Sequence, residues 1–595
     1  MNQEEKKENG IWKILIRTVK LIGNTSRAYI FVLLGSTLLQ SILPAVSLLI
    51  MQEIINAIQT NAADLQHLFT LVVFYVSIDL VQTIWQYAFG YYNTKVSLKF
   101  TLWLKGQLLT KASELSLKDY EDSDTYDMIR RAQYGESGTV MTFCTNFVQM
   151  IGSAVTSFSY LIILFTFRIE LIPIVLTIPA LKYYVTKKIN EKQFAVIKAR
   201  TGQERKNWYW SFLVTNGNDY KELKLNHLFQ YFIDKFRENS KSFNQQDLKI
   251  AKESAEKMSV FSVLEQIIDG AIFAYIILQG VIGTILIGNV VTYTRSILQA
   301  KTSIQSILLQ FAEAHKNRLY LNQVFRLLDY LPEEEAQPDG TASIDKIDTI
   351  DIVNLSYRYS GSEAYALKGL TLHLRRGETL TIIGRNGSGK TTLAKILLGF
   401  YREYEGEIFV NGINLKRLDL EQYRQKCGAL FQDFTQYQAT LRENISYGNL
   451  NASADDVTLY SAANKFGLDS ILKDKEIPTA LDMQLGYWFE GGKQISIGQW
   501  QKVALARTFI KNADLCILDE PNASLDVISE RELSELYTEL FKGKIGIIIA
   551  HRFSHIVNQT SRIIVMENGR IIEDGTHSQL MQENGTYQKM FTMQS

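Results

Sequence analysis

The sequence is poor in the residues that build disulfide frameworks and metal centres. Its three cysteines, Cys144, Cys427 and Cys516, have no paired spacing, which argues against both disulfides and a zinc site. The seven histidines form no cluster at ligand spacing. Net charge is also small, since 63 basic residues face 62 acidic ones, so the totals do not support nucleic-acid binding. Residues 1–20 lack a clean apolar run and a small-residue cleavage site, and we expect no signal peptide there.

Long apolar runs occupy the first half of the chain. A membrane-spanning helix needs about 20 mostly apolar residues. Residues 28–51 and 143–167 contain no charge, and residues 68–92 contain only Asp79. The weaker candidates are residues 170–184, 258–282 and 290–311. Each weaker candidate, taken alone, is also compatible with a buried helix of a soluble domain.

The distribution of Lys and Arg supports the weaker spans, because cytoplasmic loops retain these residues. Three segments are basic, with six Lys and Arg in residues 1–27, seven in residues 93–142 and sixteen in residues 182–257. The joins on the other side of the predicted membrane are poor in them, with none in residues 59–67, one at Arg168 and none in residues 282–289. This alternation predicts a six-span membrane domain over residues 28–325, with both chain ends in the cytoplasm. Residues 1–27 would form an amphipathic segment at the inner membrane surface.

The composition changes after residue 325. Residues 332–348 are acidic and polar and contain Pro and Gly, which is typical of a linker, and we place the linker at residues 326–348. Residues 349–595 alternate short strand patterns with helical ones. The predicted fold class is therefore multidomain, with a six-span α-helical membrane domain followed by an α/β P-loop ATPase domain.

A glycine-rich loop follows the apolar run TLTIIG. Residues 384–391 read GRNGSGKT, a complete G-x-x-x-x-G-K-[ST] match before the helical pattern TLAKILLGF. Backbone N–H groups of such a loop surround phosphates, Lys390 supplies a charge to them, and Thr391 offers a hydroxyl to Mg²⁺. The predicted nucleotide-binding residues are Gly384, Arg385, Asn386, Gly387, Ser388, Gly389, Lys390, Thr391 and Thr392.

A second motif is an apolar strand pattern that ends in two carboxylates. In LCILDE, residues 515–520, Asp519 is placed to bind Mg²⁺, and Glu520 is placed to polarise the attacking water as a general base. One acid at the end of a strand is common by chance, whereas this complete string beside a glycine-rich loop is not. The two motifs together predict hydrolysis of ATP with Mg²⁺.

The order of the motifs resembles that of the ABC ATPases. GRNGSGKT is followed by FQD, S-x-G-Q, LCILDE, ASLD and a histidine after the run IGIIIA. The resemblance implies that Tyr359 stacks on adenine, that Gln432 senses the γ-phosphate, binds the metal and contacts the membrane domain, and that His551 holds the γ-phosphate. It also implies that Asp526 couples the two sites of a dimer and that Glu490 faces the coupling helices of the membrane domain.

The resemblance further implies a homodimer, because ABC ATPases close the signature of one copy on the phosphate loop of the other. Ser496, Gly498 and Gln499 keep the signature pattern. Ile497, however, stands where the family motif L-S-G-G-Q has glycine. A β-branched side chain at a point of close backbone approach is expected to hinder closure and to slow turnover.

The membrane half resembles ABC exporters, with residues 115–132 as a first coupling region and residues 208–236 as a second. The second region, with FNQQDLKIAK and LGYWFEGGKQ, resembles the transporters of nisin- and subtilin-type lanthipeptides. This implies export of a modified precursor peptide, leader attached, through the cytoplasmic membrane of a Gram-positive cell, and docking with lanthionine-forming enzymes. The first cysteine, Cys144, falls inside a predicted span, so we expect leader removal to happen elsewhere.

Two other functions fit parts of the sequence. A multidrug or lipid exporter shares every ATPase motif and the six spans, and differs only in the cargo path. A soluble ABC protein of translation or repair shares the ATPase motifs but lacks the long apolar runs.

Charged residues inside the predicted spans are costly and usually pair or face water. Glu265 and Asp269 lie four residues apart on one helix face, and a hairpin centred near Thr284 brings Lys301 to the same depth. One hypothesis is that Lys301 pairs with one of the two carboxylates. A second is that one carboxylate lines a cavity with Asp79 and attracts a cationic peptide, and a third is that these residues are simply hydrated at the cytoplasmic rim.

Overall fold

The structure is a computed structural model. It describes residues 10–594 except for residues 61–63, a scatter of positions between 123 and 136, residues 331–341, 453–454, 473–478 and 522–534, and residues 552 and 555. The chain divides into two compact units, Met1–Glu114 with Ser123–Tyr330, and Leu115–Asp122 with Leu331–Ser595.

The first unit is built from helices. In chain order the described helices up to residue 330 are α1 (Ile11–Gly23), α2 (Tyr29–Thr60), α3 (Leu65–Ser113), α4 (Leu117–Glu121), α5 (Ser137–Phe167), α6 (Leu171–Thr215), α7 (Tyr220–Leu225), α8 (Leu228–Val281) and α9 (Ile287–Asp329). All of them except α4 belong to the first unit. In α1 the residues Ile14, Thr18 and Ile22 are buried on one face while Trp12 and Ile16 are exposed, as an amphipathic segment requires.

Four of these helices are long and apolar enough to cross a membrane, namely α2, α3, α5 and α8 among the described residues. The fourth and sixth predicted spans correspond to α6 and α9, where charged residues such as Lys182 and Lys301 lower the mean hydropathy. Six long helices are described, but the crossing of a membrane by all six stays a prediction.

The charged residues of the predicted fifth and sixth spans form one network. Lys301 on α9 is only 4% exposed and pairs with Asp269 on α8, while its Nζ lies 3.3 Å from Oε1 of Glu265. Glu265 also pairs with Lys182 on α6, and Gln305 donates a hydrogen bond to it. The pairing hypothesis is therefore confirmed, and the hypothesis of a free carboxylate is wrong for both Glu265 and Asp269.

The second unit carries the α/β architecture. Its described strands are β1 (Thr349–Tyr357), β2 (Leu367–Arg375), β3 (Thr379–Gly384), β4 (Glu405–Val410), β5 (Ile413–Asn414), β6 (Cys427–Leu430), β7 (Leu515–Asp519), β8 (Ile545–Ile549), β9 (Arg562–Glu567) and β10 (Arg570–Gly575). Its described helices after residue 330 are α10 (Lys390–Leu397), α11 (Leu420–Gln425), α12 (Leu441–Ser446), α13 (Asp456–Lys465), α14 (Asp469–Leu472), α15 (Ile497–Ile510), α16 (His577–Gln582) and α17 (Thr586–Thr592).

Two sheets organise this unit. The antiparallel sheet has the order β2-β1-β4-β5, and the larger sheet has the order β10-β9-β3-β8-β7-β6. In the larger sheet β3 pairs in parallel with β8, which pairs in parallel with β7. The residues of β7 and β8 are all buried, which explains their unbroken apolar runs. The carboxyl ends of β3, β7 and β8 meet at one edge, where ligands bind in open α/β sheets.

Two boundaries differ from the sequence prediction. Helix α9 continues to Asp329 and so enters the linker predicted from residue 326. The short segment Leu115–Asp122, predicted as part of the membrane domain, groups with the second unit. Its helix α4 begins with a capping box in which Ser116 and Asp119 satisfy each other's backbone N–H groups.

Candidate active site

The phosphate loop is shaped by glycines that have no room for a side chain. Gly384 ends β3 with a φ of +153°, and a Cβ there would lie 2.2 Å from the carbonyl oxygen of Met566. Gly389 has a φ of +100°, and its Cβ would lie 2.6 Å from the carbonyl oxygen of Ala366. Helix α10 begins at the next residue, Lys390, so the loop delivers backbone N–H groups at a helix N-terminus. This arrangement suits an anionic phosphate.

Lys390 is buried inside the loop. Its Nζ donates to the carbonyl oxygens of Gly384, at 2.9 Å, and Arg385, at 3.0 Å. Burial lowers the pKa of Lys390, because the charged ammonium is stabilised less there than in water. An anionic phosphate beside Lys390 would stabilise the charged ammonium form of this side chain.

Asp519, the last residue of β7, has the character of a magnesium ligand. It is 2% exposed, its Oδ1 has no hydrogen-bond partner among the described residues, and its other contact is with Thr391. Burial raises the pKa of Asp519, so a nearby cation would stabilise its charged form. The described residues contain no group of three His, Cys, Asp or Glu that could hold a metal alone. The site therefore fits Mg²⁺, which proteins bind through one or two side chains together with substrate phosphates.

Glu520 is held in a constrained position beside Asp519. Its φ is +53°, in the left-handed region that non-glycine residues rarely adopt, and its N–H donates to the carbonyl of Ile549 at 2.8 Å. Gln432 donates from Nε2 to Oε2 of Glu520 at 2.9 Å. His551 contacts the other carboxylate oxygen of Glu520, with its Nε2 3.0 Å from Oε1. Backbone strain of this kind concentrates at functional sites.

The electrostatics of His551 favour its neutral form. Burial, aided by the charge of Lys390, lowers the pKa of His551, and Glu520 opposes that effect. In its neutral form the imidazole adds no second cation beside Lys390.

These groups surround one cleft of about 360 Å³. Its lining consists of Asn386, Gly387, Ser388, Gly389, Lys390, Thr391, Thr392, Gln432, Glu520 and His551. Residues more than 160 positions apart in the sequence therefore meet at the carboxyl edge of the sheet. The cleft brings together backbone N–H groups, an ammonium group, the Thr391 hydroxyl and the Glu520 carboxylate, the types of group that bind and hydrolyse a phosphoanhydride.

Other predicted residues lie outside the lining of this cleft. Tyr359 donates or accepts a hydrogen bond at 2.9 Å with Thr392 and packs edge-on against Tyr401, so its adenine contact stays a prediction. Ser496 caps helix α15, and its hydroxyl accepts from the N–H of Gln499. The remaining signature residues, Ile497 and Gly498, form the first turn of that helix.

The structure describes neither of the contacts that the resemblance implies for Asp526 and Glu490. Asp526 falls within residues 522–534, outside the described residues. Glu490 is exposed in a loop whose neighbours Tyr487, Trp488 and Phe489 are also exposed. The backbone of this loop is fixed by Gln438, whose side-chain oxygen accepts hydrogen bonds from the N–H groups of Tyr487 and Trp488.

One side-chain contact near the cleft was not predicted from the sequence. Glu121, at the end of α4, accepts hydrogen bonds from the buried hydroxyl of Tyr401 at 2.8 and 3.0 Å. Tyr401 stacks on Tyr357 and meets Tyr359 edge-on, and Tyr359 in turn touches Thr392 beside the phosphate loop. Helix α4 is thereby connected to the cleft through aromatic side chains. No local sequence motif indicates the contact between Glu121 and Tyr401, because the two residues are 280 positions apart.

Comparison with known proteins agrees with this site. Residues 367–523 match the ABC transporter family. The subtilin transport ATP-binding protein of Bacillus subtilis is 34% identical over 98% of this chain and 94% of its own length. The chain belongs to the ABC transporter family. The nisin transport ATP-binding protein of Lactococcus lactis subsp. lactis is 30% identical to this ABC transporter over 96% of this chain and 95% of its own length.

A third relative is similar over a shorter region. The ATP-dependent lipid A-core flippase of Pseudomonas fluorescens strain Pf0-1 is 35% identical over 45% of this ABC transporter and 44% of its own length. Among solved structures, a bacterial Atm1-family ABC exporter with ATP bound has a TM-score of 0.75 at 20% identity, covering 96% of this chain and 98% of that one. The ABC exporter fold therefore extends over both units.

Together these findings establish what the transporter does. It is a membrane protein whose nucleotide-binding ATPase domain is coupled to transport, and its function is ATP-driven export. The expectation from the sequence is confirmed at this level. The soluble ABC protein is no longer a candidate, because the likeness to the exporter covers the membrane half as well.

Proposed function

We propose that this exporter carries a modified lanthipeptide precursor out of the cell. The observation that supports this cargo is the share of the chain that aligns with each group of relatives. The relatives named for subtilin and nisin transport align over 98% and 96% of the chain, whereas the lipid A-core flippases align over 45% to 61%. Because the ATPase domain is shared by all exporters, similarity in the membrane half is what distinguishes cargo classes.

The ATP site works through the residues of the cleft. Lys390 and the N–H groups of the phosphate loop bind the phosphates, and Tyr359 stacks on adenine. Glu520 accepts a proton from the attacking water, while Gln432 and His551 orient its carboxylate and contact the γ-phosphate. Thr391, Gln432 and Asp519 would hold Mg²⁺, which neutralises phosphate charge when bound.

The assembly is proposed to be a homodimer in the cytoplasmic membrane, with six spans from each copy and both termini and the ATPase domains in the cytoplasm. Ser496, Gly498 and Gln499 of one copy would complete the site of the other, with Asp526 at the dimer contact. Partners are membrane lipid, the precursor peptide and the lanthionine-forming enzymes of a Gram-positive cell, and no nucleic acid.

The cargo is tested in a producer strain that lacks this chain. Modified precursor is expected to accumulate inside the cells, and wild-type protein supplied in trans should restore it to the medium. The Glu520→Gln variant is the matched control, because it retains the fold and should leave the precursor inside. If the precursor leaves the cells at the normal rate without this chain, the lanthipeptide cargo is wrong and a drug or lipid cargo becomes the better hypothesis.

A further inference from the structure

The loop that carries His551 is anchored at both ends. On its amino-terminal side the N–H of Ala550 donates to the carbonyl of Ile382 at 3.2 Å, which ties the end of β8 to β3. On its carboxyl-terminal side the side chain of Gln594 forms hydrogen bonds with the loop backbone. Gln594 donates from Nε2 to the carbonyl oxygen of His551 at 2.6 Å and accepts from the N–H of Phe553 at 3.1 Å.

We propose that Gln594 is a positioning residue for ATP hydrolysis, which acts by clamping the backbone on either side of residue 552 so that the His551 imidazole stays on Glu520. This proposal rests on the proposed roles of His551 and Glu520. The amide of Gln594 can hold both contacts at once, because its NH₂ group donates while its oxygen accepts.

The clamp is built on a packed base. Phe553 is fully buried, and its ring centroid lies 5.9 Å from that of Tyr587 and 6.3 Å from that of Phe591, both on α17. The N–H of Gln594 donates to the carbonyl of Phe591 at 2.9 Å, which fixes the start of its side chain. The last helix therefore supports the His551 loop twice, through ring packing and through the amide of Gln594.

The geometry explains why the clamp would matter. His551 is about one-third exposed, and its contact with Glu520 is made at the side-chain tip. A small rotation of the peptide at residue 551 is amplified at the imidazole, and hydrogen-bonded positioning of catalytic groups is sensitive to displacements near 1 Å. Gln594 itself lies at the surface, so its replacement leaves the buried core unchanged.

The test uses the full-length transporter purified in lipid nanodiscs. Gln594→Met keeps the shape but neither hydrogen bond, and Gln594→Glu keeps the acceptor but loses the donor. Gln594→Glu is expected to lower kcat about threefold, the effect of one exposed hydrogen bond, and Gln594→Met at least as much. The affinity for ADP should not change, because ADP lacks the phosphate that His551 contacts. Met593→Ala, next in sequence and 86% exposed, is the control and should hydrolyse ATP at the wild-type rate.

A double variant isolates the route of the effect. In a His551→Ala background, Gln594→Met should cause no further loss of kcat. Wild-type kcat in Gln594→Met, an equal loss of ADP affinity and thermal stability, or full additivity with His551→Ala would each overturn the clamp. Failure of the proposed function would look different. The wild-type protein would then show no ATPase activity, or the Glu520→Gln variant would keep the activity of the wild type.

Discussion

The imidazole of His551 and the carboxylate of Glu520 lie in direct contact, with Nε2 and Oε1 3.0 Å apart. Gln432 contacts the second oxygen of the same carboxylate at 2.9 Å. A carboxylate oxygen has more than one acceptor site, so these contacts orient Glu520 and leave an acceptor for water. The Glu520 carboxylate therefore lies between two side chains that follow different strands of the sheet, Gln432 after β6 and His551 after β8.

The first prediction concerns the chemical step. Glu520→Gln is expected to lower steady-state ATP hydrolysis at least about 100-fold, because it removes the base. Binding of ATP should survive, since the phosphate loop is unchanged. Lys390→Ala should instead weaken ATP binding itself. Both are measured on purified protein by phosphate release and nucleotide affinity, and hydrolysis near the wild-type rate by Glu520→Gln would refute the assignment.

A second prediction concerns Ile497 in the signature. Its side chain is 56% exposed on the first turn of α15, so its bulk faces outward from this copy. Ile497→Gly should raise basal ATPase activity several-fold, an effect of about 1 kcal/mol on the barrier. Ile497→Ala is the matched control, since it removes bulk without the helix penalty of glycine. Unchanged or lower rates in both variants would mean that the site has adapted to the isoleucine.

The third prediction concerns the buried charges of the membrane unit. Lys301→Glu should strongly destabilise the fold, because it places three carboxylates together and breaks a buried pair, a loss of about 3 kcal/mol or more. Asp269→Lys in the same chain should restore stability. Glu265→Lys should restore less, because it faces Lys182 as well. Thermal unfolding and yield in detergent measure the three variants, and equal rescue by both lysines would argue against the network as described.

A fourth prediction concerns transmission between the coupling segment and the cleft. Tyr401→Phe removes the hydrogen bonds to Glu121 but keeps the ring that stacks on Tyr357. We expect basal ATPase activity to persist and cargo-stimulated activity to fall about threefold or more, since a hydrogen bond to a charged group is lost. Lys118→Ala is the control, because its ion pair with Glu403 is exposed and should contribute little. Equal stimulation in Tyr401→Phe and wild type would contradict a role for this contact.

The ATP site could be predicted from the sequence because its residues sit at the ends of buried parallel strands. Gly384 ends β3 and Asp519 ends β7, and strand ends of a parallel sheet share one edge. The contacts of Gln594 and Tyr401 could not be predicted in this way. Each joins residues far apart in sequence through surface or aromatic packing, for which no local pattern exists.

The membrane half shows the limit of hydropathy. The pairing of Lys301 could be predicted, because helical spacing and a hairpin near Thr284 set the depth of each charge. The partner of Glu265 on α6, Lys182, was missed, since its contact depends on how a third helix packs. The same charges lower the hydropathy of α6 and α9, so the helices that carry the network are the ones that composition alone does not mark as spans.

The most direct test of ATP-driven lanthipeptide export uses inside-out membrane vesicles that contain this chain, with modified precursor added outside. The account predicts that precursor enters the vesicles only with hydrolysable ATP, and that vesicles with Glu520→Gln accumulate none. Unmodified lipid or drug probes should not enter at a comparable rate. Uptake of precursor without ATP, or ATP-dependent uptake of the probes but not of the precursor, would contradict it.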